Sequence, residues 1–390
     1  MKNIDFVEGN LITLLHNGEE YFPELEAAIE KAQFEIHIET YIFEYDAVGK
    51  RIIAALKRAA QRDVSVHLLF DGFGSQNFPV EEISLMLQAG IKILIFRPEF
   101  IFSMPRRHRL RRMHRKLTLI DAKIAYIGGI NIIDDQDNPE KLTPRFDYAV
   151  AIKGPLLVQI HKAVKRLWML VAWAHFKKRW AISNTIKPVN DSCGNQKAAF
   201  VIRDNWRHRH DIEHAYLKGI NQAQSEIIIA NAYFLPGRKF RNALKNAAQR
   251  GVNVELLLQG RIEYRLQHHA TQALYENLLQ AGIKIYEYNR SYLHAKVAVI
   301  DRYWATVGSS NIDPFSLLLA REANVFIADH QFANELRTSL KAAISQESTL
   351  VTSTDKNFFS KWNHAVNWLC FYIVRLLQGI LGYDRHDSKL

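Results

Sequence analysis

Apolar positions along this chain switch repeatedly between two spacings. Residues 24–32 carry helical spacing, 35–43 alternate as a strand and 48–62 return to the helical period; 64–70 read as a strand, 80–89 as a helix and 91–96 as a strand. Farther along the order returns, with 226–235 extended, 238–249 helical, 252–259 extended, 271–281 helical and 283–287 extended. Helices alternating with strands predict an α/β fold whose helices cover the faces of mixed sheets.

The two series are copies of one unit. Ala59-Ala-Gln-Arg-Asp-Val-Ser-Val reappears as Ala247-Ala-Gln-Arg-Gly-Val-Asn-Val, and Leu87-Gln-Ala-Gly-Ile-Lys-Ile as Leu279-Gln-Ala-Gly-Ile-Lys-Ile, in the same order. So long a unit is a duplication and not a solenoid repeat. The first copy holds about twelve extra residues between Ile93 and His114. Residues 154–199 match neither copy: 155–180 read as a basic, aromatic connecting helix and 183–196 as a loop. The expected division is therefore a first half over 1–190, a second half over 191–350, and a tail over 351–390, two pseudo-symmetric sandwich halves sharing one site.

Charge narrows the partner. Across 390 residues, 51 Lys and Arg against 40 Asp and Glu leave a formal charge of +11, which suits a polyanion, either nucleic acid or an anionic membrane surface. Cys193 and Cys370 lie far apart with no metal spacing, which argues against a disulfide framework. The opening Met1-Lys-Asn-Ile-Asp lacks the apolar core of a signal peptide. No segment reaches the roughly 18–20 uninterrupted apolar residues of a spanning helix; 167–176 is apolar but short, between Lys165-Arg166 and further cations.

The chemistry lies in a motif that occurs once per copy: His114, Lys116 and Asp121, then His294, Lys296 and Asp301, in each case His-x-Lys-x4-Asp. On a strand, His114, Lys116 and Thr118 would share one face while Leu117 and Leu119 enter the core, and the second copy would do the same. At equal spacing after each Asp come Gly128-Gly129-Ile-Asn131 and Gly308-Ser309-Ser310-Asn311. Small residues there admit close approach of a ligand, and each Asn offers an amide donor. Such a pair suits displacement at a phosphodiester. One neutral imidazole attacks phosphorus, the other protonates the leaving alkoxide, and Lys116, Lys296, Asn131 and Asn311 neutralise the non-bridging oxygens. Four fixed donors leave no requirement for a divalent metal or another cofactor.

These motifs resemble the phospholipase D superfamily, over about residues 5–335. Within it, Ile38-Glu-Thr-Tyr-Ile-Phe43, the segment from His114 to Asn131, and Gly308-Ser-Ser-Asn-Ile-Asp-Pro-Phe-Ser316 look most like bacterial cardiolipin synthases of the short type without N-terminal transmembrane helices. The resemblance implies two phospholipase D-like α/β sandwich halves and transfer of a phosphatidyl group between phospholipids, from phosphatidylglycerol or phosphatidylethanolamine to phosphatidylglycerol or glycerol. It implies that His114 attacks and His294 serves as acid. It also implies an acid downstream of each motif that orients that motif's histidine, Asp147 in the first half and Glu322 in the second. Asp121 and Asp301 look like structural partners of the site. A peripheral enzyme on the cytoplasmic face of the bacterial inner membrane follows from the same resemblance.

Three segments point toward a lipid surface and not nucleic acid. The insertion over 97–113 holds Arg106, Arg107, Arg109, Arg111 and Arg112, with Phe100, Ile101, Phe102 and Met104 at its tip. Residues 162–180 carry Trp168, Trp173 and Trp180 among cations, suited to an interface or to a buried helix packed between the halves. In the tail, Trp362, Ala365, Val366, Leu369, Ile373, Leu376, Leu377 and Ile380 form one helical stripe, suited to an interface or to the protein's own core. Hydrolytic phospholipases and nucleases built on the same twin motif are the competing readings, and a catalytically dead phosphate-binding scaffold is a third.

Overall fold

The computed structural model describes residues 4–98, 111–135, 144–177, 180, 186–204, 207–313, 320–352 and 361–380. In chain order the first half runs β1 (Val7–His16), α1 (Asn17–Glu30), β2 (Glu35–Thr40), α2 (Ala47–Gln61), β3 (Ser65–Asp71), α3 (Val80–Gln88) and β4 (Lys92–Phe96). It continues with β5 (Leu117–Ile120), β6 (Ile124–Gly128), β7 (Tyr148–Lys153) and α4 (Leu157–Ala174). The second half repeats this order. It has β8 (Gln196–Arg203), α5 (Asp211–Gln222), β9 (Glu226–Asn231), α6 (Arg238–Gln249), β10 (Asn253–Gln259), α7 (Arg265–Gln272), α8 (Tyr275–Leu279) and β11 (Lys284–Tyr288). Then come β12 (Lys296–Ile300), β13 (Trp304–Gly308), β14 (Glu322–Ala328) and α9 (His330–Glu347), followed by β15 (Ser348–Leu350) and α10 (Lys361–Ile380).

The fifteen strands among the described residues join one mixed sheet with β1 and β8 paired antiparallel at its centre. Outward from that pair the order is β1-β7-β6-β5-β2-β3-β4 on one side and β8-β14-β13-β12-β9-β10-β11 on the other, as a duplication requires, with β15 added at the outer edge of β11. The outer strands β2, β3 and β4 run parallel, as do β9, β10 and β11, because each pair is joined through a crossover containing a helix. The sheet folds back on itself, so β6 and β7 lie against β13 and β14. Leu117, Leu119, Val150 and Ile152 meet Val297, Val299, Val307 and Val325 in that central core. Outside it, α1 and α2 cover one half-sheet, and α5, α6, α7 and α10 cover the other.

Several expectations shift. The helix expected over 24–32 begins at Asn17, with Tyr21, Phe22, Leu25 and Ile29 as its buried face. The helix expected over 271–281 is two short ones, α7 and α8, and α7 packs along α10. The strands expected to continue to 43 and 235 end at Thr40 and Asn231. Beyond those points the chain leaves the sheet, and Phe43 and Phe234 bridge to Ile132 and Ile312, next to the two motif asparagines. The segment from 154, which matches neither copy in sequence, contains α4, and α4 follows β7 as α9 follows β14.

Candidate active site

Both motif histidines lie just ahead of a strand: β5 starts at Leu117 and β12 at Lys296. What holds them is the other half of the molecule. The His114 N–H donates to the Arg321 carbonyl at 2.9 Å, and the Arg321 N–H to the Arg112 carbonyl at 2.8 Å. The His294 N–H donates to the Phe146 carbonyl at 2.9 Å, and the Phe146 N–H to the Tyr292 carbonyl at 2.9 Å. Each motif is thus zipped to the residues that precede the acid of the opposite copy.

That zipping exchanges the acids. His114 Nδ1 lies 3.0 Å from Glu322 Oε1, and His294 Nδ1 lies 2.6 Å from Asp147 Oδ2. Asp147 and Glu322 were expected to orient the histidine of their own half, and the structure pairs each with the histidine of the other. The physical reason is the central fold-back: β7 and β14 begin at the dyad, where the facing motif is nearer than their own.

The supports of the two acids differ. The Ser309 hydroxyl donates to Glu322 Oε2 at 2.5 Å, and the Ser309 carbonyl lies 3.2 Å from His114 Nδ1. The equivalent residue is Gly129, where an added Cβ would sit 2.2 Å from Asp147 Oδ1, so any side chain there would displace that carboxylate. Asp147 takes the Tyr148 N–H at 2.8 Å instead. At the entry to each motif, Asp71 accepts the Met113 N–H at 2.8 Å and Gln259 accepts the Leu293 N–H at 2.6 Å. Asp71 is also bound by the Arg112 guanidinium, with Nε at 2.9 Å. Neither Asp71 nor Gln259 was singled out from the sequence, though both end the strand before an equivalent turn.

Lys116 Nζ donates to the His114 carbonyl at 2.9 Å and lies 5.3 Å from the centre of the Tyr41 ring, which itself packs 4.8 Å from the His114 ring. Lys296 Nζ donates to the His294 carbonyl and stands 3.9 Å from Asp147 Oδ2. Burial holds the His114 pKa below its ordinary value against the opposing pull of Glu322. His294 is held further down, by burial and then by Lys296, Arg145 and Lys116. Burial also lowers Lys116, and brings Lys296 to about 8 despite Asp147. The Asp147 carboxyl rises to about 6 because it is buried, with Lys296 opposing. The cations of both motifs act on both histidines. They form one electrostatic site.

A sequence model described as cardiolipin synthase, PLD-like domain, matches residues 25–172 and 216–344. The chain belongs to the cardiolipin synthase family. Cardiolipin synthase B of Escherichia coli K12 and that of Shigella flexneri are each 40% identical to it over 385 residues, 98% of this chain and 92% of the relative. Phosphatidylserine synthase of Haemophilus influenzae Rd KW20 shares the fold, with a TM-score of 0.70 at 13% identity over 96% of this chain and 97% of that one. Polyphosphate kinase of Porphyromonas gingivalis aligns with a TM-score of 0.58 at 13% identity, over 95% of this chain and 53% of that one.

In this cardiolipin synthase fold the motif aspartates stand away from the histidines. Asp121 accepts the N–H groups of Gln33, Phe34 and Glu35 at 2.8–3.0 Å, and Asp301 those of Gln224, Ser225 and Glu226 at 2.8–3.0 Å. Both follow their strands with positive φ, 51° and 52°, and tie a helix-to-strand loop to the sheet. Backbone hydrogen bonds hold the Asp301 pKa low although its partial burial acts the other way. Asn131 and Asn311 are buried, and Asn131 Oδ1 accepts the Ile42 N–H at 3.2 Å. Of the insertion, Arg112 serves Asp71, and Arg111 is exposed with its carbonyl taken by Arg97 at 2.9 Å. Arg106, Arg107 and Arg109, with the apolar tip, lie outside the described residues.

Among the described residues no helix is long and apolar enough to cross a membrane. Helix α4 buries Leu157, Ile160, Val164, Leu167 and Trp168, yet its far end exposes Met169, Leu170 and Trp173, with Phe176 in the turn that follows. Helix α10 packs through Asn367, Phe371 and Val374, with His269 Nδ1 2.8 Å from Asn367 Oδ1. Leu369, Ile373 and Leu376, part of the apolar stripe read from the sequence, face outward with Tyr372.

Proposed function

We propose that this family member carries a phosphatidyl group on His114 and passes it to the hydroxyl of a second molecule. The observation that carries the reading is the acid on each Nδ1. Glu322 and Asp147 hold the proton on that nitrogen, so each neutral imidazole turns its Nε2 lone pair to the shared site. His114 Nε2 bonds to phosphorus as the donor's P–O bond breaks, and the leaving alkoxide takes a proton from His294. The acceptor hydroxyl then gives its proton to His294 while its oxygen bonds to phosphorus and frees His114. Lys116, Lys296, Asn131 and Asn311 carry the charge of the non-bridging oxygens.

The low pKa of His294 fits this order. In the empty site burial, Lys296, Arg145 and Lys116 all disfavour the imidazolium. A bound diester anion offsets those cations and restores the proton that the leaving group needs. Phosphatidylglycerol or phosphatidylethanolamine serves as donor, and phosphatidylglycerol or glycerol as acceptor. Purified protein given labelled phosphatidylglycerol and phosphatidylethanolamine plus glycerol is expected to yield cardiolipin. Phosphatidic acid as the sole product would make it a hydrolase, and DNA cleavage without lipid turnover a nuclease.

The pH profile has a stated sign. Lys296 must be an ammonium to bind the diester, and its pKa in the free protein stands near 8. The specificity constant kcat/KM is therefore expected to fall above about pH 8, and Lys296→Arg to move that limb upward. An alkaline limb that does not move with Lys296→Arg would remove Lys296 from the diester site.

We further propose that the exposed apolar ends of α4 and α10 seat the protein peripherally on an anionic bilayer, at the cytoplasmic face of the inner membrane. Trp173 is 70% and Leu376 65% exposed, which costs about nothing if both enter an interface. Trp173→Ser with Leu376→Ser is expected to lower co-sedimentation with phosphatidylglycerol vesicles about tenfold. Equal sedimentation of the variant would discard these helices as anchors.

A further inference from the structure

Behind the catalytic segment lies a second concave site with a charge pattern of its own. It is a pocket of about 320 Å³ whose walls include the guanidinium-bearing residues Arg97, Arg111, Arg115, Arg166, Arg207 and Arg321. They come from five places in the chain: the turn after β4, the approach to β5, the middle of α4, the segment after β8 and the residue before β14. Such convergence is not a solvated charge run on one element. Asp204 is the single acid on the walls among the described residues, and its Oδ1 is already engaged by the Arg207 and His208 N–H groups at 2.8 and 3.0 Å.

Six guanidinium groups face Asp204 on the walls, with the buried Glu39 beside Arg115, so positive charge is in excess. Arg115 is 2% exposed; its Nε donates to the Glu322 carbonyl at 3.3 Å, and its Nη1 stands 3.6 Å from Glu39 Oε2. Burial lowers the Arg321 pKa to about 10, with Arg115 next in effect, and burial followed by Arg111 and Arg112 lowers that of Arg97. Like charges gathered in a partly desolvated hollow are costly unless an anion completes them. Guanidinium forks match phosphate oxygens in pairs, which ammonium groups do not.

The pocket also adjoins the reaction. Arg115 sits in the chain between His114 and Lys116, and neighbours on an extended segment face opposite ways. Arg321 supplies the carbonyl that holds the His114 N–H at 2.9 Å. One wall is apolar, formed by Leu167, Leu170 and Ile202. Leu170 is 48% exposed and continues to Met169 and Trp173 on the open side of α4. A free phosphate has no use for that wall, whereas the glycerol and first acyl carbons of a lipid do.

We infer that this pocket is a second anion site, which binds the phosphodiester of an anionic phospholipid beside the catalytic centre. Its lipid identity rests on the phosphatidyl-transfer reading, and the anion site itself does not. It would hold the phosphate of the acceptor lipid, or the second phosphate of a two-phosphate product, while the other phosphate occupies the histidine site.

Calorimetry on full-length protein carrying His114→Ala tests this without turnover. With soluble dihexanoyl phosphatidylglycerol, two lipids per chain are expected to bind. Adding Arg166→Glu and Arg207→Glu, both on exposed residues, is expected to leave one. An unchanged stoichiometry, or one lipid in both proteins, overturns the proposal. Inorganic phosphate is expected to compete only at roughly tenfold higher concentration or more; equal competition would leave an anion site with no lipid character. A short oligonucleotide that displaces the lipid at lower concentration would likewise overturn the lipid assignment. Should the double charge reversal not fold, Arg166→Gln alone is expected to weaken the second lipid by roughly tenfold, and unaltered binding overturns the site. Failure of the wild-type protein to make cardiolipin would refute the proposed function while this binding result stood.

Discussion

His114→Ala is expected to lower phosphatidyl transfer by roughly 10⁴–10⁶, and His294→Ala by roughly 10²–10⁴. The effects differ because one change removes the atom that bonds to phosphorus and the other removes a proton carrier. A diester with a p-nitrophenolate leaving group separates the roles, since that group departs without a proton. With it, His294→Ala protein is expected to release nitrophenolate and retain phosphate on His114, detectable as an acid-labile adduct. His114→Ala protein is expected to do neither. An adduct on His294 in the His114→Ala protein would reverse the assignment, and normal turnover by both variants would end the enzymatic reading.

How much of this was visible along the chain depends on where each signal comes from. The outer parallel strands and their helices carry strong, copied periodicities, so β2–β4 and β9–β11 could be located to within a few residues. The central strands β1 and β8 were missed. Gly9 interrupts β1 at a positive φ of 87°, and the β1–β8 register shifts between Val7 and Asn10, so neither reads as simple alternation. Strands β6, β7, β13 and β14 are buried on both faces, and a short continuous apolar run has no period to detect. The His-x-Lys pairs and both asparagines could be found because chemistry restricts residue type. Asp71 and Gln259 could not, since their role exists only through a backbone N–H that the fold brings to them. Nor does a linear reading contain the exchange of acids. Order along the chain associates Asp147 with His114, whereas only the fold-back at β1–β8 carries Asp147 to His294.

That exchange has consequences large enough to measure. Glu322→Gln and Asp147→Asn are each expected to lower kcat by roughly 10²–10⁴, because an amide can hold Nδ1 without its proton and favours the wrong tautomer. The size of the loss does not identify the partner, so the decisive readout is the imidazole itself. In ¹⁵N-histidine spectra, Glu322→Gln is expected to shift the His114 Nδ1 resonance and leave that of His294 nearly in place, and Asp147→Asn to do the opposite. Gly129→Ala provides a third probe, because its methyl would lie 2.2 Å from Asp147 Oδ1 and push the carboxyl off His294. It should reproduce the spectrum of Asp147→Asn although Gly129 belongs to the copy that contains His114. If instead Gly129→Ala and Asp147→Asn both perturb His114, the acids serve their own halves and the geometry described for the dyad is wrong. If the exchange holds, neither half possesses a complete histidine relay. A half expressed alone would then keep its motif and lack its orienting acid, so the duplication has become obligatory for chemistry as well as for packing.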